Sequence, residues 1–192
     1  MKWVLIGIAV IAACAALVLI VGAMLPRDHV AAMTARIAAT PDSVWAALTT
    51  PADFPSWRHD VKAVDLLPPV PAGPSWREHS AQGAITYVVD VAQRPHRLVG
   101  RIADTNLPFG GSWEYLVEPD GPSASRVTIV ERGSVYNPIF RFVSRFLMSQ
   151  TATIDTYLRA LGRRFGSEPA PTVTVVPRTA STADSRRDRV RT

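Results

Sequence analysis

Residues 3–25 form one unbroken apolar run with no charged side chain. After Pro26 the pattern changes to short alternating segments punctuated by charges and prolines. As a helix rising about 1.5 Å per residue, the run spans roughly 34 Å, enough for the hydrocarbon core of a bilayer. Inside lipid every backbone N–H and C=O must pair within the segment, so helix is the expected form. Trp3 suits a membrane interface, and Lys2 and Arg27 flank the two ends. The run therefore reads as an uncleaved transmembrane anchor, residues 1–25. A cleaved signal peptide is a second reading, since Val21-Gly22-Ala23 offers small residues, although the apolar core exceeds the usual length of about 7–15 residues. A lipoprotein signal at Ile11-Ala12-Ala13-Cys14 is a third, but it would leave the apolar stretch 15–25 at the head of the mature chain. Lys2 and the terminal amine favour a cytoplasmic N-terminus, whereas Arg27 and Arg36 oppose it. The balance leans to a single-pass chain with its domain on the extracytoplasmic side.

Residues 26–29 are a short linker. Residues 30–38 read as a strand with Met33, Ala35 and Ile37 on one face. Thr40-Pro41-Asp42 opens a helix, with Thr40 as N-cap and Pro41 at the first helical position. Val44, Trp45 and Leu48 form its apolar stripe, and Pro51 ends it. Residues 51–57 add a further turn carrying Phe54 and Trp57 inward.

From Val61 the period becomes two. Strands are expected at 61–67, closed by Pro68-Pro69, at 76–80, and at 84–93 with Ile85, Tyr87, Val89 and Val91 on one face. Leu98, Gly100 and Ile102 continue the alternation. Trp113, Tyr115 and Val117 mark the next strand, Asp120-Gly121 the next turn, and residues 126–135 the last strand, with Val127, Ile129 and Glu131 on a common face. Regular turn signals at this spacing indicate an antiparallel meander. Asn137 and Pro138 then start a helix whose stripe runs through Ile139, Val143, Phe146, Leu147, Ile154, Tyr157, Leu158, Leu161 and Phe165 to a stop at Gly166. One long amphipathic helix with so wide a stripe needs an apolar partner, which the concave face of the meander supplies. Residues 167–192 are rich in Pro, Thr, Ser, Ala and Arg, and burial there is too small to offset ordering entropy, so a disordered basic tail is expected.

Of 192 residues, those beyond the anchor suffice for one domain with its own core. The single cysteine, Cys14, lies in the apolar run and excludes disulfides and cysteine-rich zinc sites. A net charge of +5 raises the possibility of a nucleic-acid partner. The arginines, however, concentrate in the tail and the last helix without a nucleic-acid module, and anionic headgroups or plain solubility account for them.

The order strand, two short helices, antiparallel strands, long helix resembles the SRPBCC superfamily of START-like, helix-grip proteins, which includes polyketide cyclases and lipid-transfer domains. The resemblance covers residues 30–166. It is carried by Ala39-Thr40-Pro41-Asp42-Ser43-Val44-Trp45, by Trp57-Arg58-His59-Asp60-Val61, and by Trp76-Arg77-Glu78. Leu107-Pro108-Phe109-Gly110-Gly111-Ser112-Trp113 and Asn137-Pro138-Ile139-Phe140-Arg141-Phe142 resemble a bacterial, membrane-anchored subgroup. The resemblance implies an α+β fold, an antiparallel sheet wrapped on a long C-terminal helix behind one transmembrane helix, with a cavity between helix and sheet.

By phase, Tyr87, Val89, Leu98, Ile102, Trp113, Tyr115 and Ile129, with Phe146 and Tyr157 from the helix, are the candidates to line that cavity; equally, they could simply fill a core. Glu131 continues the inward phase of Val127 and Ile129. A carboxylate there would orient a ligand hydroxyl, act as a general base, or pair with an arginine such as Arg101. Glu78 and His79 lie on opposite faces of a strand and cannot form a dyad, and His59-Asp60 suits a cap better than catalysis. The four histidines lack ligand spacing for a metal, and no phosphate loop, nucleophile elbow or cofactor motif appears. The leading expectation is a membrane-tethered binding domain for a membrane lipid or apolar small molecule, without cofactor. The alternatives are a cyclase- or hydrolase-like enzyme using Glu131 or Tyr87, and an interaction module acting through the basic tail. Against an enzyme stands the lack of a paired acid and base on one face.

Overall fold

The computed structural model describes residues 2–81, 83–146, 149 and 151–175. Leu147 of the expected helical stripe and residues 176–192 of the expected tail lie outside them. The chain opens with helix α1 (Lys2–Met24), long and apolar enough to cross a membrane, and none of its apolar window is buried against the rest of the chain. Strand β1 (Asp28–Ile37) begins almost at once. Helix α2 (Pro41–Thr49) follows, its first turn closed by Thr40 Oγ1 accepting from the Ser43 amide at 3.4 Å. A 3-10 turn (Pro51–Asp53) and the single turn α3 (Phe54–Trp57) bring Phe54 and Trp57 into the core.

The meander comprises β2 (Ala63–Val70), β3 (Gly73–Ser80), β4 (Gly83–Gln93), β5 (Arg97–Ile102), β6 (Phe109–Pro119) and β7 (Ser125–Val135). With the short β8 (Thr172–Val173) these form one open antiparallel sheet in the order β2-β3-β4-β5-β6-β7-β1-β8. Pro68 and Pro69 do not end β2 as expected. The strand lies at the sheet edge and the register slips between Leu67 and Val70, so the missing N–H groups cost no ladder bond. Within β4 a bulge between Val89 and Val91 breaks the expected alternation. Tyr87 faces Ile102 and Val89 faces Gly100, but Val91 then faces Val99, which puts it on the opposite side of the sheet from Tyr87.

One face of the sheet carries Ala31, Met33, Ala35, Ile37, Leu98, Val117, Val127 and Ile129 into the core against Ile154, Tyr157, Leu158 and Leu161. The opposite face holds Glu114 between Arg97 (2.7 Å) and Arg132 (2.8 Å).

The expected single long helix is two helices, α4 (Pro138–Phe146) and α5 (Ala152–Arg164). Asn137 caps α4 as its sequence position suggests, Oδ1 accepting from the amides of Ile139 (2.9 Å) and Phe140 (3.4 Å). The break includes Ser149 and Thr151, whose hydroxyl groups compete for backbone partners; their side chains meet at 3.2 Å. The two helices also answer to different surfaces, α4 to the end of α1 and α5 to the sheet. Gly166, at φ +69°, ends α5. Its amide donates to the Arg163 carbonyl (3.0 Å) and that of Ser167 to Gly162 (3.0 Å), which satisfies the last turn.

The chain does not lose its structure at residue 167, contrary to expectation. Pro169 packs on Gly162, and β8 pairs with β1 through Met33–Val173 and Thr34–Thr172. Thr34 and Thr174 hydroxyls meet at 2.7 Å, so this segment covers part of the free edge of β1.

Candidate functional site

The inner face of β3 to β7 holds the side chains that could act on a ligand. Register aligns Val89, Gly100, Trp113, Glu131 and Ala31 in one row across five strands, with Leu98, Tyr115, Ile129 and Met33 in the next. Trp76 of β3 stacks on Tyr87 with ring centroids 5.7 Å apart, and Tyr157 of α5 stands over Trp113 (5.7 Å), Tyr115 (5.5 Å) and Trp57 (5.5 Å). Val89, Leu98, Ile129 and Tyr157 are buried, whereas Tyr87, Ile102, Trp113 and Tyr115 remain partly accessible although they face inward. Between Val89 and Trp113 in that row sits Gly100. A Cβ placed there would have only the Val88 carbonyl oxygen nearby, at 3.9 Å, so the sheet floor is open at that point. Inward-facing aromatic rings that stay partly accessible around a bare glycine leave a hollow on the inner face at Gly100.

A charged cluster stands beside it. Arg58, just after α3, donates through Nη1 to Glu78 of β3 (3.1 Å to Oε1) and through Nη2 to Asp60 (2.7 Å). Trp76 Nε1 donates to the same Glu78 oxygen at 2.9 Å. The side chains of Arg58 and Glu78 are 11% and 9% exposed. The guanidinium also lies over the rings of Tyr157 (4.9 Å) and Phe54 (5.2 Å), and its Nε is buried without a hydrogen-bond partner. Burial opposes the charge on Arg58, but Tyr157, Glu78 and Asp60 outweigh it and hold the guanidinium above its ordinary pKa. The Tyr115 and Tyr157 hydroxyls belong to neighbouring rings, with centroids 5.5 Å apart. Burial drives the Tyr87 and Tyr115 phenols well up, while Tyr157, also raised by burial but opposed by Arg58, is pushed up to about 12. These hydroxyls stay protonated near neutrality and serve as hydrogen-bond donors.

Glu131 lies opposite Trp113, on the inner face as its phase indicates. Its partner is not Arg101, which pairs with Asp90 at 2.9 Å on the other face. His29 Nε2 approaches Glu131 Oε1 at 3.7 Å, and Glu131 Oε2 is buried with no hydrogen bond. Beyond His29 a small cleft runs between Leu25, Arg27, Val135, Arg141 and Ser144 and separates this end of the sheet from α4.

Eight of the ten residues expected to line a cavity thus share the inner face of the sheet, and Tyr157 comes to them from α5. Phe146 does not. It ends α4, is 58% exposed, and packs its ring on Phe142 at 4.9 Å, because the helix breaks before it can reach the sheet. Arg58 and Glu78 were missed as a pair. Trp76 and Glu78 share a face by two-residue alternation, so an inward Trp76 implied an inward carboxylate. As expected, Glu78 and His79 part company, and His79 meets Asp65 at 2.7 Å. Among the described residues no cluster of His, Cys, Asp or Glu could hold a metal ion.

A curved antiparallel sheet closed by a C-terminal helix over an aromatic-lined face defines a START-like, ligand-binding class of fold. Residues 28–166 match the family described as polyketide cyclase / dehydrase and lipid transport, and the chain belongs to that family. Solved structures agree on the fold. A START superfamily protein from Mycobacterium smegmatis is 16% identical with a TM-score of 0.58, covering 71% of this chain and 97% of that one. A conserved protein from Geobacillus kaustophilus is 12% identical with a TM-score of 0.60, covering 74% and 99%. Norcoclaurine synthase from Thalictrum flavum, in complex with dopamine and hydroxybenzaldehyde, is 12% identical with a TM-score of 0.55, covering 71% and 86%. Comparison with curated protein sequences returns no match.

Proposed function

We propose that this chain is a membrane-tethered binding domain that takes up an apolar small molecule or a lipid between α5 and the inner face of the sheet. The observation that carries this reading is the hollow over Gly100, walled by Tyr87, Trp113 and Tyr115, inward-facing yet partly accessible. Such a space favours an apolar body, and the Tyr115 and Tyr157 hydroxyls and the cluster around Arg58 and Glu78 favour one polar group on the same molecule. A fold relative whose structure holds two aromatic small molecules supports this use of the architecture. Helix α1, crossing the bilayer, would keep the hollow next to lipids and to molecules dissolved in them, raising their local concentration without any new contact.

Filling the floor tests the proposal. Gly100 has an ordinary strand backbone, so Gly100→Val should fold, and its side chain would occupy the hollow. Native mass spectrometry of the full chain, released from nanodiscs made with the cells' own lipids, should show one retained molecule for the wild type that Gly100→Val lacks. Identical adduct patterns in both proteins would overturn the assignment.

An enzymatic reading rests on Glu131, whose buried Oε2 has no partner and whose Oε1 faces His29. Under this second reading Glu131→Gln would retain the bound molecule but abolish its turnover. Under the first, Glu131→Gln behaves as the wild type.

A further inference from the structure

Helix α4 presents its faces the wrong way round for a globular surface. Arg141 is 7% exposed, whereas Ile139, Phe140 and Phe146 are 48%, 51% and 58% exposed. Ile139, Phe142, Val143 and Phe146 fall on one side by helical spacing, and Arg141 and Ser144 fall on the other. The polar side is the one turned to the protein. Arg141 Nη1 donates to the carbonyls of Leu25 (2.9 Å) and Ala23 (3.4 Å), capping the orphan oxygens at the C-terminal end of α1 with a positive charge. Gly22 permits the approach, since a Cβ there would stand 2.0 Å from the Pro138 carbonyl oxygen. The start of α4 is therefore pinned to the last turn of α1.

We infer that α4 is a second membrane contact, lying along the bilayer interface with its apolar side chains in lipid. The inference rests on α1 spanning that bilayer. If it does, the last turn of α1 sits at the boundary between hydrocarbon and headgroups, and so does α4. The exposed apolar surface of α4 continues that of α1, so one apolar medium covers both. Arg27 and Arg145 are exposed around the same junction, at the level where anionic headgroups attract cations. A helix of nine residues would hold a bilayer weakly by itself, but the covalent link to α1 makes its insertion an intramolecular event. The domain is then laid on the membrane at two points rather than swinging from one.

Fluorescent labels read the depth of each point in the full chain. The native Cys14, mid-way along α1, takes a nitrobenzoxadiazole label directly. In a Cys14→Ala background, Ile139→Cys and Phe146→Cys place the same label on exposed positions of α4, and Ser123→Cys places it on the exposed β6–β7 turn as an aqueous control. The proteins are reconstituted in vesicles of phosphatidylcholine and phosphatidylglycerol containing nitroxide lipids with the quencher deep or shallow on the acyl chain. The Cys14 label should be quenched by the deep nitroxide. The two α4 labels should be blue-shifted and quenched by the shallow one, and the Ser123→Cys label quenched by neither. Quenching of Cys14 with α4 labels that behave like the Ser123 control would overturn the inference and leave the tether intact. Blue-shifted α4 labels that no lipid nitroxide reaches would assign this face to a protein partner or a second copy and overturn it too. A Cys14 label beyond reach of the deep nitroxide would remove the spanning helix, and the α4 contact with it.

Discussion

Replacing Glu78 by leucine tests whether the cluster beside the hollow is a single electrostatic unit. The substitution leaves the Trp76 indole N–H without its 2.9 Å acceptor and the Arg58 guanidinium with only Asp60. Asp60 is half exposed and compensates little. Removing one member of a buried pair costs about 3–5 kcal/mol, because the other stays buried and charged. At about 2–4 °C per kcal/mol for a chain of this size, the melting temperature should fall by roughly 10 °C. Arg58→Met alone should cost about 3 kcal/mol, since Glu78 keeps the Trp76 donor but loses its counter-charge and the protein loses cation–π contacts with Phe54 and Tyr157. The double variant removes both charges and fills the space with apolar groups, an exchange that is often close to neutral. Because the Trp76 N–H still lacks its acceptor, it should nonetheless melt within a few degrees of the milder single variant, for a coupling of about 4 kcal/mol. Near-ultraviolet circular dichroism of the full chain in detergent micelles, with heating, gives all four melting temperatures. A double variant whose loss equals the sum of the two single losses would refute the cluster as a unit.

Glu114 sits between Arg97 and Arg132, and although burial opposes its charge, their hydrogen bonds hold its carboxyl below the ordinary value. The stability it contributes is present above the unfolded glutamate pKa of about 4.3 and is lost as pH falls through the lower folded value, so Glu114→Gln should flatten the acid limb of a melting-temperature profile. The raised phenols have the opposite sign. Their contribution is complete below the unfolded value of about 10 and disappears as pH rises toward the folded one, which is about 12 for Tyr157. Phenolate absorbance should therefore show three tyrosines titrating late, together with the loss of near-ultraviolet circular dichroism. Gly22→Leu should force Pro138 off α1 and undo the Arg141 cap, seen as faster amide exchange across residues 139–146, while the core strands stay protected.

Period-two alternation was enough to place Trp113, Tyr115 and Glu131 on the inner face, because register across β6 and β7 preserves phase over the whole pair. It failed at Val91, where an extra residue in β4 turns the strand over, and bulges leave no mark on hydrophobic spacing. The apolar stripe from Ile139 to Phe165 was real in both halves, yet stripes report only that a face is apolar. Whether it meets the sheet depends on tertiary position, and Phe146, at the end of α4, stays exposed instead. Arg58 lies in an aperiodic stretch after α3, where no pattern gives direction, and its partner Glu78 was visible only through Trp76 two residues away. The ordered start of the tail depended on an open edge of β1 that composition does not register.

Strand β1 follows the apolar helix after residues 25–27 and lies inside the sheet, paired along its length with β7 from Asp28–Ser134 to Ile37–Ser125. In the growing polypeptide β1 is among the first segments to emerge after the apolar helix, but its partner is about a hundred residues away along the chain. Until β7 is synthesised, β1 waits with both backbone edges unpaired. Closure is therefore a late, long-range event, slow by contact order and exposed to quality-control proteases while it is pending. A ribosome stalled after β6 would yield a product unable to complete its sheet, so the order of strands ties the yield of this protein to uninterrupted synthesis.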